Sequence, residues 1–558
     1  MPKLNRGTKT RLSFIFMLLF VACGMETPRI LMIDPHFAVV GQNLTIMGEA
    51  FGDEQGESFV TIGGVRPIMA SYLEWSDNKI VLRIPDFGES GLIYVHRRNH
   101  RSNPVMFSTL DSLPAFPKSQ VSYAPVIMQL RPASAAIGEL IVIQGNGFGS
   151  RRDGGAVLFN WAVEPQPYTP VEVSTVPLIE AHGHTGAYEV WNEHEIRVRV
   201  CDGAASGIVQ VSTPYEKSNS IPFEVVAKPG VKTIKDKRTY SISYSVDVRA
   251  ENAAPPNSLY LWCPFPASTA AQLNKETLLG SSKPFVEDYR GVSLYRLSDL
   301  KSGDGKIISV SYLVDVYTVE TQVRPEQVKP YIDSPVRKTW TLPSVFVPSN
   351  DATVKELAVV FTGREWNPYL KAYSIYKRLL KEFTMASGIT GDSVIEAISK
   401  KRLDPYTAAM LYCALCRAAG IPAIPVAGIL CVRTGSAQPH YWVEFWIDEF
   451  GWVPVDPALG AGVFPNFTAD PAASVQFTSG ESFKLRDDHE TYYFGNMDNQ
   501  HLIFSFGETN LSQIDVRGRT ASRELNYALQ NIWEEASGGI EAYSSHWSDV
   551  NVIGVYSN

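Results

Sequence analysis

The most regular feature of the chain is an alternation of apolar and polar positions in its first half. Leu44 and Ile46, and again Ile141 and Ile143, are separated by single polar or small residues, and glycine punctuation follows at short intervals. A period of two marks half-buried strands, and short strands divided by turn signals build a sandwich. The pattern is duplicated. Pro35, Gly41, Leu44, Ile46, Gly48, Phe51 and Gly52 recur as Pro132, Gly138, Ile141, Ile143, Gly145, Phe148 and Gly149, each 97 positions on. Trp75, Ile80, Gly91, Ser102, Asn103 and Phe107 recur as Trp191, Ile196, Gly207, Ser218, Asn219 and Phe223, each 116 positions on, so the second copy holds 19 extra residues between the two groups. Repetition fixes architecture before propensity does. Two β-domains are predicted, at residues 28–109 and 124–226.

Residues 232–321 alternate again, as from Tyr240 to Val246, and predict a third β-sandwich. Beyond a proline-rich stretch from Pro325 to Pro348 the period becomes helical, with Val354, Leu357, Ala358 and Phe361 three and four residues apart. Asn367 and Pro368 form an N-cap and N1 pair for a helix running through Phe383, and Asp404 and Pro405 form another ahead of an apolar segment that ends at Pro422. A helical region is therefore expected beyond the proline-rich stretch. Leu525, Ala528, Leu529 and Ile532 share one helical face, so residues 511–558 are expected as a C-terminal helix, Ser522 to Ala536, and a tail packing on the core.

The chain has 558 residues, 45% hydrophobic and 19% charged, which suits three to five globular domains. Its net charge of -8 is spread without long runs, which excludes a nucleic-acid stripe and points to a protein, peptide or glycan partner. Lys3, Arg6, Lys9 and Arg11 precede an apolar run from Leu12 to Val21 that is too short to span a bilayer, the form of an export signal over residues 1–22. Cys201, Cys263, Cys413, Cys416 and Cys431 have neither the number nor the spacing of a disulfide scaffold, and the Cys413/Cys416 pair reads as core packing. His182, His184 and His194 read as solvated loop histidines rather than metal ligands. No metal and no cofactor is expected.

Three resemblances sharpen this. Phe20-Val21-Ala22-Cys23-Gly24 resembles a lipobox, which implies cleavage before Cys23, a diacylglycerol on its thiol, and palmitate among the acyl groups of the anchor. Gly41 to Gly52, with Val60-Thr61-Ile62-Gly63-Gly64 and with Trp75 ahead of Ile80 to Pro85, resembles the IPT/TIG family of immunoglobulin-like domains. Leu403 to Pro422 resembles the helix of transglutaminase-like proteins: Ala409, Leu411, Leu415, Arg417 and Gly420 fit the motif if Pro405 stands at its cysteine. His440-Tyr441-Trp442-Val443-Glu444 and Gly451 to Pro457 match the histidine and aspartate strands, and the resemblance implies an α+β core over 351–510; residues 232–321, whose strands are broken by Trp262 to Pro266, look like the β-domain that precedes such a core. The fold class implied is multidomain, with all-β immunoglobulin-like sandwiches followed by an α+β, papain-like, transglutaminase-like core.

In active members a thiolate attacks a glutamine amide or peptide carbonyl, the histidine moves its proton, and the aspartate orients the imidazole. Proline has no nucleophilic atom. His440 and Asp456 are thus vestigial triad members around Pro405. The reading is a pseudoenzyme: a lipid-anchored envelope protein, periplasmic or surface-exposed, that binds a partner. Two rivals stand beside it. One is an active hydrolase or cysteine peptidase served by a non-standard nucleophile such as Cys431, and the other is an envelope spacer or assembly component.

Overall fold

The computed structural model describes residues 27–557, excepting 36, 39–40, 85–90, 110–123, 153, 165–176, 182–186, 279, 288–290, 433–434, 464–485, 516 and 524–526. The export signal, Cys23, His182 and His184 lie outside the described residues. The chain is mostly β and divides into two compact units, one of residues 1–116 with 512–516 and one of the remainder.

In the first unit, strands Arg29–Asp34, Asn43–Glu49, Lys79–Arg83 and Tyr72–Trp75 form one sheet, and Phe37–Ala38, Val105–Thr109, Gly91–Arg97 and Phe59–Ile62 form the path of a second. Ile33, Leu44, Ile46, Val60, Ile93 and Phe107 are buried between them. The second copy, in the other unit, repeats this strand order from Val126 to Val225.

The repeated landmarks have repeated jobs. Asn103 accepts from the backbone N–H of Ile30 (2.8 Å) and donates to its carbonyl (2.9 Å), and Asn219 does the same for Ile127 (2.8 and 3.1 Å). Trp75 donates to the Phe51 carbonyl, and Trp191 to that of Phe148. A Cβ on Gly48 would lie 2.1 Å from the Arg29 carbonyl oxygen, and one on Gly145 2.0 Å from that of Val126. Only glycine lets the first strand approach so closely. The extra residues of the second copy add an edge strand, Leu178–Glu180, beside Ala156–Trp161.

The third β-region is built on two long antiparallel strands, Gly230–Ala253 and Gly305–Val323. Here the sequence expectation fails: the described residues of 519–557 contain no helix, and the tail does not simply pack on the α+β core. Ile540–Trp547 and Asn551–Ser557 pair with Gly230–Ala253, and Glu534–Ala536 pairs with Ser258–Pro264. Ala528, Leu529 and Ile532 are buried as expected, but backbone pairing outweighs the local period.

The α+β core comprises α1 (Ala352–Thr362), α2 (Pro368–Glu382), α3 (Val394–Lys400), α4 (Pro405–Ala418), β1 (Ala423–Leu430), β2 (Gln438–Ile447), β3 (Gly451–Val455), α5 (Pro457–Gly460) and β4 (His501–Phe506). The sheet is antiparallel in the order β3-β2-β1-β4. Asn367 caps α2 and Asp404 caps α4, each with proline at N1. The α4 helix is buried nearly all round. Tyr441, Val443 and Phe445 of β2 join its apolar cluster, whereas Trp442 and Trp446 face the opposite side of the sheet.

Candidate functional site

His440 on β2 and Asp456 at the end of β3 meet across adjacent strands. Both are fully buried, and the His440 Nε2–H donates to Asp456 Oδ2 at 2.6 Å. Asp456 Oδ1 accepts from the N–H groups of Ala458 and Leu459, each at 2.9 Å, as the N-cap of α5, so the carboxylate cannot swing. The other imidazole nitrogen, Nδ1 of His440, is buried and has no hydrogen-bond partner among the described residues. It is the atom left for a proton transfer.

Pro405 is the position that the sequence motif aligns with a cysteine. Pro405 is buried at N1 of α4, and the next residue, Tyr406, packs edge-on against Tyr441, which follows His440, with ring centroids 5.1 Å apart. Asp404 and Thr407 hold the helix start by a reciprocal capping box, and Asp404 Oδ2 also accepts from Thr390. The N-terminus that would stabilise a thiolate is intact. Proline at position 405 carries no thiol.

Two residues that sequence reasoning passed over complete the site. His501, the first residue of β4, places Nε2 3.2 Å from Asp456 Oδ2 and Nδ1 2.9 Å from Asp498 Oδ1. Asp498 in turn accepts from the Tyr493 hydroxyl at 2.8 Å. Burial opposes a charged imidazole, but Asp498 and Asp456 together raise the His501 pKa to about 9. Burial likewise opposes ionised Asp456, yet the charges and hydrogen bonds of His440 and His501 outweigh it and hold the carboxyl well below its usual range. Neither His501 nor Asp498 falls within a spaced motif. The only signal in the sequence is the polar cluster Asp498 to His501 opening an apolar strand.

The other candidates do not join the site. Cys413 and Cys416 lie within α4, and Cys413 Sγ reaches the Ala423 carbonyl. Cys431 is buried in the cluster that holds Tyr240, Ile242 and Phe504, where burial pushes its thiol far up. Among the described residues it makes no hydrogen bond to His440. His194 bonds to Asn146 Oδ1 at 2.9 Å.

On the face of the sheet that carries His440, a cavity of about 120 Å³ is lined by Trp340, Trp442, Trp446, Trp452, Glu444, Lys232 and His501. Lys232 is held by Asp202 and the Trp452 carbonyl, both at 2.6 Å. Burial raises Glu444 to about 8 in spite of Lys232. An apolar cavity of roughly 150 Å³ accommodates benzene, so this space admits a small group and not an extended chain.

A capped buried helix beside a histidine–aspartate strand pair defines the class. Residues 355–457 match the model of the Transglutaminase-like superfamily, and the chain carries a transglutaminase-like domain there. Among solved structures it is similar to a putative cysteine protease from Cytophaga hutchinsonii, at 14% identity over 59% of this chain and 93% of that one, with a TM-score of 0.36. It is also similar to the periplasmic domain of TgpA from Pseudomonas aeruginosa, at 18% identity over 38% and 87%, with a TM-score of 0.23. No curated protein matched the sequence.

Proposed function

We propose that the protein is a membrane-anchored, non-catalytic transglutaminase-like protein that binds a protein, peptide or glycan partner at the cell envelope, with its two repeated sandwiches acting as IPT/TIG domains. The observation that carries this reading is Pro405. It occupies N1 of α4, between a capping box that preserves the helix start and a histidine strand that preserves the base, and it offers no atom that can attack a carbonyl. The sealed His440–Asp456 pair supports the same reading, since a pair with no exposed surface serves well as a clasp between β2 and β3. Anchoring rests on the lipobox-like Ala22-Cys23.

The test is ammonia release from a glutamine-donor peptide, with and without an amine acceptor, by purified protein carrying Cys23→Ser for solubility. The expected result is no release above the protein-free rate. Release that is sensitive to iodoacetamide and disappears in Cys431→Ser would overturn the reading in favour of a thiol enzyme.

A further inference from the structure

His440 Nε2, Asp456 Oδ2 and His501 Nε2 come from three different strands of one sheet or their ends, and these donor atoms all lie within 4.8 Å of one another in a buried cluster. A hydrogen-bonded catalytic pair has no use for the second imidazole. A metal ion does: two imidazoles and one carboxylate oxygen are a donor set for zinc and its neighbours, not for magnesium or calcium.

The three atoms are aimed as ligands. Asp456 Oδ1 is taken up by the cap of α5, which leaves Oδ2 facing both rings. His501 Nδ1 is tied to Asp498, and Asp498 is fixed by the Tyr493 hydroxyl and the Gln500 N–H. A carboxylate holding the far nitrogen of a ligating histidine is the arrangement that sets its tautomer and orientation at metal centres. Zinc bonds of about 2.0–2.2 Å put tetrahedral donors roughly 3.3–3.5 Å apart. The His501–Asp456 separation of 3.2 Å already suits this, and the His440–Asp456 separation of 2.6 Å needs to open by under about an ångström. Asp456 and Asp498 bring two negative charges that a divalent ion balances. His501 also lines the 120 Å³ cavity, which borders the cluster on that side.

We propose that His440, Asp456 and His501 form a binding site for one divalent transition-metal ion of the zinc class, with Asp498 as the residue that positions His501. This goes beyond the non-catalytic reading and does not depend on it.

The experiment titrates chelator-treated protein carrying Cys23→Ser with Co²⁺, followed by its visible absorption, and then with Zn²⁺ in competition by calorimetry. The expected result is one equivalent bound, with the intense bands of a low-symmetry Co²⁺ site that Zn²⁺ abolishes. His501→Ala should remove binding, and Asp498→Asn should weaken it by about 10–100-fold. Should His501→Ala fail to fold, Asp498→Asn carries the test, with its fold checked by circular dichroism. A His182→Ala/His184→Ala variant should bind as the parent does. Absence of stoichiometric binding, binding indifferent to both His501→Ala and Asp498→Asn, or binding lost in the His182/His184 variant would each overturn the proposal.

Discussion

Replacing Pro405 by cysteine asks whether one residue separates this domain from a thiol enzyme. The substitution puts a thiol at the first position of α4, whose start is held by Asp404 and Thr407 whatever occupies position 405. An N1 proline contributes no intrahelical hydrogen bond, so the variant should lose no more than about 1 kcal/mol, mainly through a freer unfolded chain. A free thiol ionises near pH 8.5, and one at a helix N-terminus beside an imidazole ionises at roughly 3.5–7.5. For a value of about 5.5, the thiolate fraction at pH 7 rises from about 3% to about 97%, roughly thirtyfold. The same drop of about three units lowers intrinsic nucleophilicity about twentyfold at a Brønsted slope near 0.45. Alkylation at pH 7 would therefore gain less than about twofold, whereas at pH 5.5 the thiolate ratio is about 500 and the net gain about twentyfold. Rates must be compared in acid.

Titration by ultraviolet thiolate absorbance is cleaner still, because Pro405 is buried and absorbance needs no reagent to reach it. The native thiols are silent in that range: burial pushes Cys413 up to about 12 and raises Cys201, Cys263, Cys416 and Cys431 further. The introduced thiol should titrate at least a unit below 8.5, and His440→Ala should move it back up. Titration near 8.5 that is indifferent to His440→Ala would show that His440 does not act on position 405.

Three further outcomes follow from the structure. Folding leaves Glu444 holding a proton until about pH 8, where the unfolded chain releases it near 4.5, so its contribution is fully present below 4.5 and is lost as pH rises towards 8. Glu444→Gln should then raise Tm more at pH 8 than at pH 5, and an equal shift at both would contradict the assignment. Asn219→Ala leaves the N–H and carbonyl of Ile127 without their side-chain partner and should reduce stability by about 1–3 kcal/mol in denaturant melts, while Gly145→Ala, with its clash at Val126, should do worse. In cells, globomycin or Cys23→Ser should leave unprocessed or unlipidated precursor, and normal processing of Cys23→Ser would favour an ordinary secretory signal.

What the sequence revealed and what it hid divide along a physical line. The duplicated sandwiches were legible because Gly48, Trp75 and Asn103 act within one domain, at fixed separations that survive copying. The helix start was legible because capping chemistry binds Asp404 and Pro405 to their neighbours in sequence, whereas His440 and Asp456 were named from the resemblance of their strand motifs to those of a family. His501 was not: its role depends on β4 pairing with β1, with Leu430 opposite it, and nothing local records that register. The tail misled for the complementary reason. Leu525 to Ile532 carry a helical period, but Leu529 bonds to Ser505 and the Thr509 N–H, and Trp533 donates to Ala521 and accepts from Trp262. Those long-range bonds consume the groups a helix would have paired internally.

Labelling without any substrate asks whether this transglutaminase-like domain holds a working nucleophile. Folded Cys23→Ser protein is treated with iodoacetamide at neutral pH, and the modified cysteines are mapped by peptide mass spectrometry against a sample unfolded in guanidinium chloride. The account predicts that Cys431 stays unmodified in the folded protein, because it is 2% exposed, its thiol is pushed far up and it lacks the His440 base, and that it is fully modified once unfolded. Rapid modification of Cys431 in the folded protein, slowed by His440→Ala, would contradict it.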